Sequence, residues 1–309
     1  MKILYTILFS SLAFTAFSQQ LPLFTQYREY SGVINPASVP DDYLRYGKTL
    51  SFGASFRKQW VIAQDGPFTG MLRTDYLPQR KAVNPIFSAY LLNDKAGRMG
   101  MTGLYLRTAM LFSDSPLEYG LSAGLSVGIM QYRLDLSNPQ VQDPTALEVY
   151  DKGSTYFPDA GLGVYGYTTL GNDHLLFGGL SMPQALSLDT RFRKDGKIIA
   201  IRRVRHFYGT VGYRIPQGDE SSFLEVSTWV RYIAPLPPSL DFNFRWQFIE
   251  NAFVGTGFST NGNAHLEAGF NFGEKELFRI GMGADLPFTA ISSYFGSSFE
   301  ANVSYALDR

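Results

Sequence analysis

Residues 240–248, which read Leu-Asp-Phe-Asn-Phe-Arg-Trp-Gln-Phe, decide the fold. Apolar and polar residues alternate along this stretch without a break. A period of two is the spacing at which the side chains of a β-strand reach opposite faces. The same alternation recurs in three later stretches, residues 265–272, 277–284 and 298–307. The sequence therefore predicts strands with one apolar, largely aromatic face and one polar face.

Two architectures produce such strands, and the composition of the polar face separates them. A soluble sandwich or barrel turns its apolar face inward and its polar face to water. An outer-membrane barrel turns the apolar face to lipid and the polar face to the lumen. Here the polar face carries Gly, Ser, Asn and single charges, and charged residues are only 17% of the chain, against about 25% in ordinary domains. Aromatic residues near the expected strand ends fit interfacial girdles: Tyr232, Phe248, Phe272 and Tyr305. We therefore predict a membrane barrel.

The number of strands supports the same architecture. After Lys48, about 14 segments have the length of roughly 9–11 residues that a tilted transmembrane strand needs. An even number returns the chain to its starting side, as in bacterial single-chain barrels. The prediction is an all-β, transmembrane, antiparallel up-and-down β-barrel of about 14 strands with a polar lumen, formed by residues 49–309. Two long connections, residues 135–156 and 183–204, both follow odd-numbered strands and are predicted to face outward.

The N-terminal residues divide into two parts. Residues 1–18 combine Lys2 with an apolar stretch and the small residues of Ala16-Phe17-Ser18, which is typical of a secretory signal peptide. Export to the cell outer membrane is therefore expected. Residues 19–48 lack clean alternation and are rich in Tyr, Pro and Asn. We expect this segment to lie in the lumen or at its periplasmic mouth.

Composition argues against several function classes. The chain has no cysteine, which excludes disulfides, thiolate metal sites and a cysteine nucleophile. Lys+Arg and Asp+Glu are equal at 27 each, so charge gives no bias toward nucleic acid. Neither Gly161-Leu162-Gly163 nor Gly255-Thr256-Gly257 has the context of a phosphate-binding loop. No metal-ligand pattern is present, and we expect no cofactor. The three histidines lie on different predicted strands, and only His265 shares a face with a carboxylate, Glu267; we expect a lumen hydrogen-bond network there and no catalytic pair.

The inward register of the strands brings charges of both signs into the lumen. They either form an ion-pair network that fills a closed lumen or line a polar channel or docking cavity. Mixed signs argue against a porin selective for one ion charge. The predicted arginines are Arg57, Arg107, Arg231, Arg245 and Arg279, and the predicted carboxylates are Glu225, Asp241, Glu267, Asp285 and Glu300.

The two long connections have opposite charge. In the second, six basic residues stand against Asp189 and Asp195, a balance of +4, and Asp195-Gly196 predicts a tight hairpin. The first carries four acidic residues and one lysine, a balance of −3. These charges either pair with each other or with lipopolysaccharide phosphates, or they form a docking surface for a partner. The candidate partner-binding residues are Arg191, Arg193, Lys194, Lys197, Arg202 and Arg203.

Five motifs in order resemble the PorP/SprF family of type IX secretion system proteins. They are Leu23-Phe24-Thr25-Gln26-Tyr27 with Ile34-Asn35-Pro36-Ala37, Phe56-Arg57-Lys58-Gln59-Trp60-Val61, Leu92-Asn93-Asp94-Lys95-Ala96-Gly97, Tyr132-Arg133-Leu134-Asp135-Leu136 and Phe157-Pro158-Asp159-Ala160-Gly161-Leu162-Gly163. The resemblance implies a non-enzymatic outer-membrane component of type IX secretion and gliding-type machinery. It further implies that the protein helps export or anchor large surface proteins that carry a C-terminal secretion domain, together with other components of the system.

Two other functions remain open at this point. Barrels of about 14 strands include transporters for lipids or small molecules, although Arg28, Glu29 and Tyr30 give the N-terminal segment no apolar inward patch. A barrel hydrolase is the second alternative, because catalytic residues can converge from distant positions.

Overall fold

Fourteen antiparallel strands close into one barrel in the computed structural model. The structure describes residues 24–63, 65–80, 82–135, 152–186, 189–194, 197–202, 204–234, 236–273, 276–289, 294 and 296–308. The strands are β1 (Leu50–Lys58), β2 (Phe68–Tyr76), β3 (Val83–Ala96), β4 (Met99–Phe112), β5 (Tyr119–Asp135), β6 (Lys152–Leu170), β7 (His174–Gln184), β8 (Asp189–Lys194), β9 (Lys197–Arg202), β10 (His206–Gln217), β11 (Asp219–Ile233), β12 (Ser239–Ile249), β13 (Ala252–Ser259), β14 (Asn263–Phe272), β15 (Leu277–Pro287) and β16 (Ser298–Leu307).

Each barrel strand pairs with its neighbour in the chain, except that β7 pairs with β10 across the separate β8–β9 hairpin. The barrel closes where β1 meets β16, with a register that runs from Leu50 opposite Leu307 to Lys58 opposite Phe299. Closure leaves no barrel strand with an unpaired edge, which a chain in lipid requires. The predicted fold class is confirmed.

The two ends of the barrel differ. We call the end that carries the 136–151 connection and the β8–β9 hairpin the loop end. The other, where the chain enters β1 and leaves β16, is the terminal end. Turns at the terminal end are short, as between β6 and β7, where Asn172 and Asp173 take positive φ angles of 62° and 61°. This is the left-handed conformation that Asn and Asp adopt more readily than most residues.

The predicted faces of the strands are confirmed. In β12, Phe244 and Trp246 are 41% and 51% exposed on the outer surface, whereas the alternating Arg245 and Gln247 are at most 1% exposed. Leucine, valine and phenylalanine side chains cover the outside of the other strands in the same way. Arginine, carboxylate, serine and asparagine side chains are buried inside. The apolar outer face is the surface that lipid covers.

The strands around the first long connection are longer than we expected. β5 has 17 residues and β6 has 19, and β6 begins at Lys152, five residues before the predicted start at Phe157. The connection is therefore residues 136–151, which lie outside the described residues, and the predicted loop 135–156 was wrong at both ends. Pairing continues to Asp135 opposite Lys152. The sequence did not indicate this because Lys152-Gly153-Ser154-Thr155 has no apolar face.

A short helical segment precedes β1. It comprises a 3₁₀ helix (Tyr27–Tyr30), α1 (Ser31–Ile34) and α2 (Asp41–Tyr46). Asp41 and Asp42 lie in the first turn of α2, where negative charge is favourable. Gly47 ends α2 with a φ of 65°, as C-terminal helix glycines commonly do. Within the described part of the chain, every helix is too short to span a bilayer.

Candidate functional site

Residues 24–48, which we call the plug, lie inside the barrel. Their side chains are mostly buried, among them Tyr30, Val33 and Tyr43 at 1%, 4% and 1% exposure. Hydrogen bonds and ion pairs join the plug to ten of the fourteen barrel strands. These strands are β1, β2, β4, β6, β7, β11, β12, β14, β15 and β16. The plug therefore occupies the centre of the lumen and is held from every side.

Arg28 of the plug is the centre of one buried ion cluster. Its guanidinium pairs with Glu225 of β11 and lies 3.2 Å from a carboxylate oxygen of Glu267 on β14. Each carboxylate has a second partner, because Arg214 pairs with Glu225 at 2.7 Å and Arg245 with Glu267 at 2.9 Å. Burial alone would lower the pKa of Arg28, but the two carboxylates raise it well above its usual value. Arg28 therefore stays charged inside the barrel.

Glu29 and Asp42 of the plug form a second cluster, with strands β2 and β15. Arg279 of β15 donates to both, at 2.8 Å each. Arg73 of β2 pairs with Glu29 at 3.1 Å, with Asp42 at 3.5 Å and with Asp75 at 2.9 Å. Burial would raise the pKa of Glu29, but Arg279 and Arg73 outweigh it and hold that pKa at about 2. The carboxylate therefore stays ionised and binds two strands to the plug.

A third contact fixes the start of the plug near the loop end. The Glu300 carboxylate accepts hydrogen bonds from the backbone N–H groups of Thr25 and Gln26, at 2.8 and 3.0 Å. Arg57 of β1 lies 3.2 Å from Glu300 and also pairs with Asp285 of β15. Carboxylates that accept backbone N–H donors make strong, directional contacts.

The charges that form ion pairs in the lumen are equal in number. The ion pairs among the described residues join nine arginines to nine carboxylates. The arginines are Arg28, Arg45, Arg57, Arg73, Arg107, Arg214, Arg231, Arg245 and Arg279, and the carboxylates are Glu29, Asp41, Asp42, Asp75, Glu225, Asp241, Glu267, Asp285 and Glu300. Paired charges of this kind give no preference for anions or cations.

Glycines on the inner wall make room for the Asn35-Pro36-Ala37 turn of the plug. Gly124 of β5 and Gly163 of β6 are register partners. A Cβ atom on Gly124 would lie 2.2 Å from the Pro36 carbonyl oxygen, and one on Gly163 would lie 2.0 Å from Oδ1 of Asn35. Asn35 also donates from Nδ2 to the Val164 carbonyl at 3.0 Å. The absence of side chains at these two positions is therefore what allows the plug to contact the wall.

Five of the residues predicted to face the lumen, Arg231, Arg245, Glu267, Arg279 and Glu300, form the candidate lumen network, and all lie inside the barrel. Arg245 pairs with Glu267 and Arg231 pairs with Asp241, both at 2.9 Å. Arg279 and Glu300 instead make their closest contacts with the plug. His265 and Glu267 are both buried, but Glu267 is engaged by Arg245 and Arg28. Within the described ranges, His, Asp and Glu side chains form no cluster able to hold a metal ion.

The basic candidates lie at the loop end. Arg191, Arg193 and Lys194 are in β8, and Lys197 and Arg202 are in β9. Lys194 is opposite Lys197 in the register, so the predicted hairpin is confirmed. Arg203 lies outside the described residues, as do the acidic candidates between residues 136 and 151. The hairpin therefore lies at the loop end of the barrel.

Most residues that hold the plug were not predicted from the sequence. Those on the plug are Arg28, Glu29, Asp41, Asp42 and Arg45, and those on the wall are Arg73, Asp75 and Arg214. Strand alternation could have indicated Arg73, which shares the inward face of β2 with Thr69, Met71 and Asp75. The plug residues follow no such period.

The family comparison decides what kind of protein this barrel is. The model of the type IX secretion system membrane protein PorP/SprF matches residues 16–305. The chain belongs to the PorP/SprF family. The resemblance found in the five motifs is thus confirmed, and this PorP/SprF protein is an outer-membrane component of type IX secretion. Among curated proteins, none matches it.

Solved structures similar to this PorP/SprF protein are outer-membrane barrels. The toluene transporter TodX of Pseudomonas putida is 9% identical over 96% of this chain and 100% of its own, with a TM-score of 0.56. A FadL homologue of Pseudomonas aeruginosa is 9% identical over 90% and 94%, with a TM-score of 0.50. The translocator domain of the autotransporter NalP from Neisseria meningitidis is 12% identical over 87% and 91%, with a TM-score of 0.51. At these identities the likeness concerns the fold alone.

Proposed function

We propose that this PorP/SprF protein helps export or anchor large surface proteins that carry a C-terminal secretion domain, and that it does so as a docking barrel without enzymatic activity. Family membership supports a place in type IX secretion. The observation that carries the docking role is the filled lumen. A folded or extended cargo cannot share the barrel with a plug whose charges are paired to β2, β11 and β15.

Removing the plug to open a path would be costly. Arg28 and Glu29 each leave two charged wall partners behind. Breaking a buried ion pair by taking away one partner costs about 3–5 kcal/mol. Several such pairs would have to break at once, so passage through the lumen is unfavourable. The partner is therefore expected at a face of the barrel, with the wall and plug as a rigid support.

The loop end is the face that we propose for docking. It carries the β8–β9 hairpin with five basic residues on its strands, and the acidic candidates belong to the neighbouring 136–151 connection. Long loops on a rigid scaffold are where binding residues concentrate. Opposite charges on two connections of the same end of the barrel would orient a polar partner as it approaches. Contact with lipopolysaccharide phosphates by the basic residues is the competing use of the same hairpin.

Transport of lipids or small molecules is the second candidate function. It is favoured by the likeness to TodX, which is a toluene transporter. The plug argues against it here, because the buried ion pairs of Arg28, Glu29 and Asp42 hold it across the lumen.

Deleting the hairpin tests the docking proposal. Residues 190–203 are replaced by a short Gly-containing turn in the native host, which leaves every barrel strand intact. We expect the barrel to assemble with unchanged heat-dependent gel migration while surface-retained cargo falls sharply. Two double variants test whether the charge of the hairpin matters. Arg191→Glu with Arg193→Glu should weaken cargo retention in a salt-dependent way. Arg191→Lys with Arg193→Lys keeps the charge and should not weaken it. Full retention of cargo after the deletion would exclude the hairpin as the docking surface.

A further inference from the structure

A cavity of about 220 Å³ opens at the loop end of the lumen, between the plug and the wall. Phe24, Thr25 and Tyr27 of the plug form one side. The wall side comes from β11 to β16 and from β1 with its following turn. A cavity of about 150 Å³ is large enough to hold benzene, so this one is large enough for a six-membered ring with substituents. The docking proposal does not use it.

The charges that line the cavity are already compensated. Arg231 pairs with Asp241 at 2.9 Å, and Arg57 pairs with Asp285. Binding an anion or a cation here would add an unbalanced charge to a site whose own charges cancel. The lining therefore favours a ligand with no net charge. His265 and Tyr27 are the other titratable side chains among the described lining residues.

Two buried donors in the lining have no hydrogen-bond partner among the described residues. They are Nε1 of Trp229, a residue only 4% exposed, and Nε of Arg57, a residue only 3% exposed. Buried polar groups are nearly always paired, and an unpaired donor is costly. Both atoms require an oxygen acceptor. The lining also offers amides from Asn243, Asn261 and Asn263, which can donate and accept.

Aromatic rings supply the apolar part of the lining. Trp229 lies between Tyr27 and Tyr208, with ring centroids 5.9 and 5.5 Å apart, so its indole is held in place. Phe24 stacks on Tyr30 at 3.7 Å, and Trp60 stands 39% exposed at the mouth. A ligand that fits must combine an apolar ring face with several hydroxyl groups. A plain hydrocarbon would leave the donors unpaired, and an ion would disturb the charge balance.

We propose that this cavity binds the ring of a neutral saccharide. The pyranose places its C–H face against the aromatic side chains and its hydroxyl oxygens toward Trp229, Arg57 and the asparagine amides. Because the cavity is open at the loop end, the ring is either a free sugar or the last residue of a longer glycan. The site requires the plug, since Phe24, Thr25 and Tyr27 are part of it.

The test uses the full-length protein in an amine-oxide detergent, which has no sugar headgroup. Calorimetry and tryptophan fluorescence are measured with glucose, galactose, mannose and N-acetylglucosamine and with their methyl glycosides. Sorbitol, glucuronate and toluene serve as the acyclic, charged and apolar comparisons. We expect saturable millimolar or tighter binding of at least one neutral ring sugar and none of the three comparisons. Binding of the glycoside identifies a glycan end as the source, and binding of only the reducing sugar identifies a free sugar.

Variants locate the binding. Trp229→Phe keeps a ring but removes the donor, and should weaken binding about fivefold, the worth of one hydrogen bond. Trp60→Ala at the exposed mouth should also weaken it, and it keeps the test valid if Trp229→Phe fails to assemble. Trp246→Phe, on the lipid face, is the matched control with unchanged affinity. Asp241→Asn should shift preference toward glucuronate, because Arg231 loses its partner. Absence of sugar binding, binding of toluene alone, or equal affinity in all variants would overturn the proposal.

Discussion

Replacing Glu29 with glutamine is expected to loosen the plug by about 3 kcal/mol. The carboxylate lies 2.8 Å from Arg279 and 3.1 Å from Arg73. Removing one partner of a buried pair costs about 3–5 kcal/mol. The lower end applies here because both guanidiniums keep other carboxylates, Asp42 for Arg279 and Asp42 with Asp75 for Arg73. A change of this size raises the population of the released plug on the order of 100-fold.

Cysteine labelling measures that population directly. The chain has no cysteine, so Val33→Cys introduces a single thiol in α1 at a position only 4% exposed. Maleimide reacts with it only when the plug leaves the lumen, and the labelling rate therefore follows the free energy of local opening. We expect Glu29→Gln to raise the rate on the order of 100-fold, with unchanged heat-dependent migration of the barrel.

A matched control replaces a carboxylate that does not touch the plug. Glu118 lies exposed in the turn before β5, and Glu118→Gln should leave the labelling rate unchanged. If Glu29→Gln labels no faster than this control, the two arginine pairs do not hold the plug. The reasoning about its retention would then be refuted.

Three further predictions follow from the wall and the plug. Phe244→Arg on the lipid face should lower the stability of the barrel by roughly 2–4 kcal/mol, measured by denaturant titration. Asn243→Arg, one residue away, should lower it much less. Equal losses of stability would mean that the assigned register is wrong. Gly124→Ala should speed labelling of the plug cysteine because its Cβ meets plug backbone, and Gly166→Ala, whose nearest neighbour would be at 3.5 Å, should not. Acid should also release the plug. The pKa of Glu29 is about 2 against an ordinary 4.5, so the stabilisation by its carboxylate is complete above pH 4.5 and disappears as the pH falls toward 2. A labelling rate that does not change between pH 4.5 and 2 would contradict this prediction.

The barrel was predictable from the sequence because its strands have two chemically different faces. Lipid requires apolar side chains on one face along the full length of each span, so residues 240–248 and 298–307 show their period of two locally. The number of strands and the inward direction of Arg245 and Arg279 follow from that period, whereas the β8–β9 hairpin was indicated by Asp195-Gly196. The extension of β5 and β6 was not predictable, since strand ends outside the lipid need no apolar face.

The arrangement of the plug was not predictable for the opposite reason. Its residues contact wall positions far away in the chain, as where the Thr25 backbone donates to Glu300, 275 residues later. Arg28 and Glu29 are charged residues in a stretch without a period, so the sequence does not indicate which wall residues they contact. Only the closed barrel brings Glu225, Glu267 and Arg279 to them. The charge balance of the lumen is therefore a property of the fold and cannot be read from local sequence.

Site-specific photo-crosslinking in the native membrane is the measurement that tests the docking account most directly. One photoreactive residue replaces Phe192 in β8 at the loop end, and another replaces Asn172 in the turn at the terminal end. Both variants are purified in mild detergent and their cross-linked partners are identified by mass spectrometry. The account predicts that position 192 captures a large surface protein with a C-terminal secretion domain and that position 172 does not. Capture of that protein from position 172 alone, or from neither position, would contradict it.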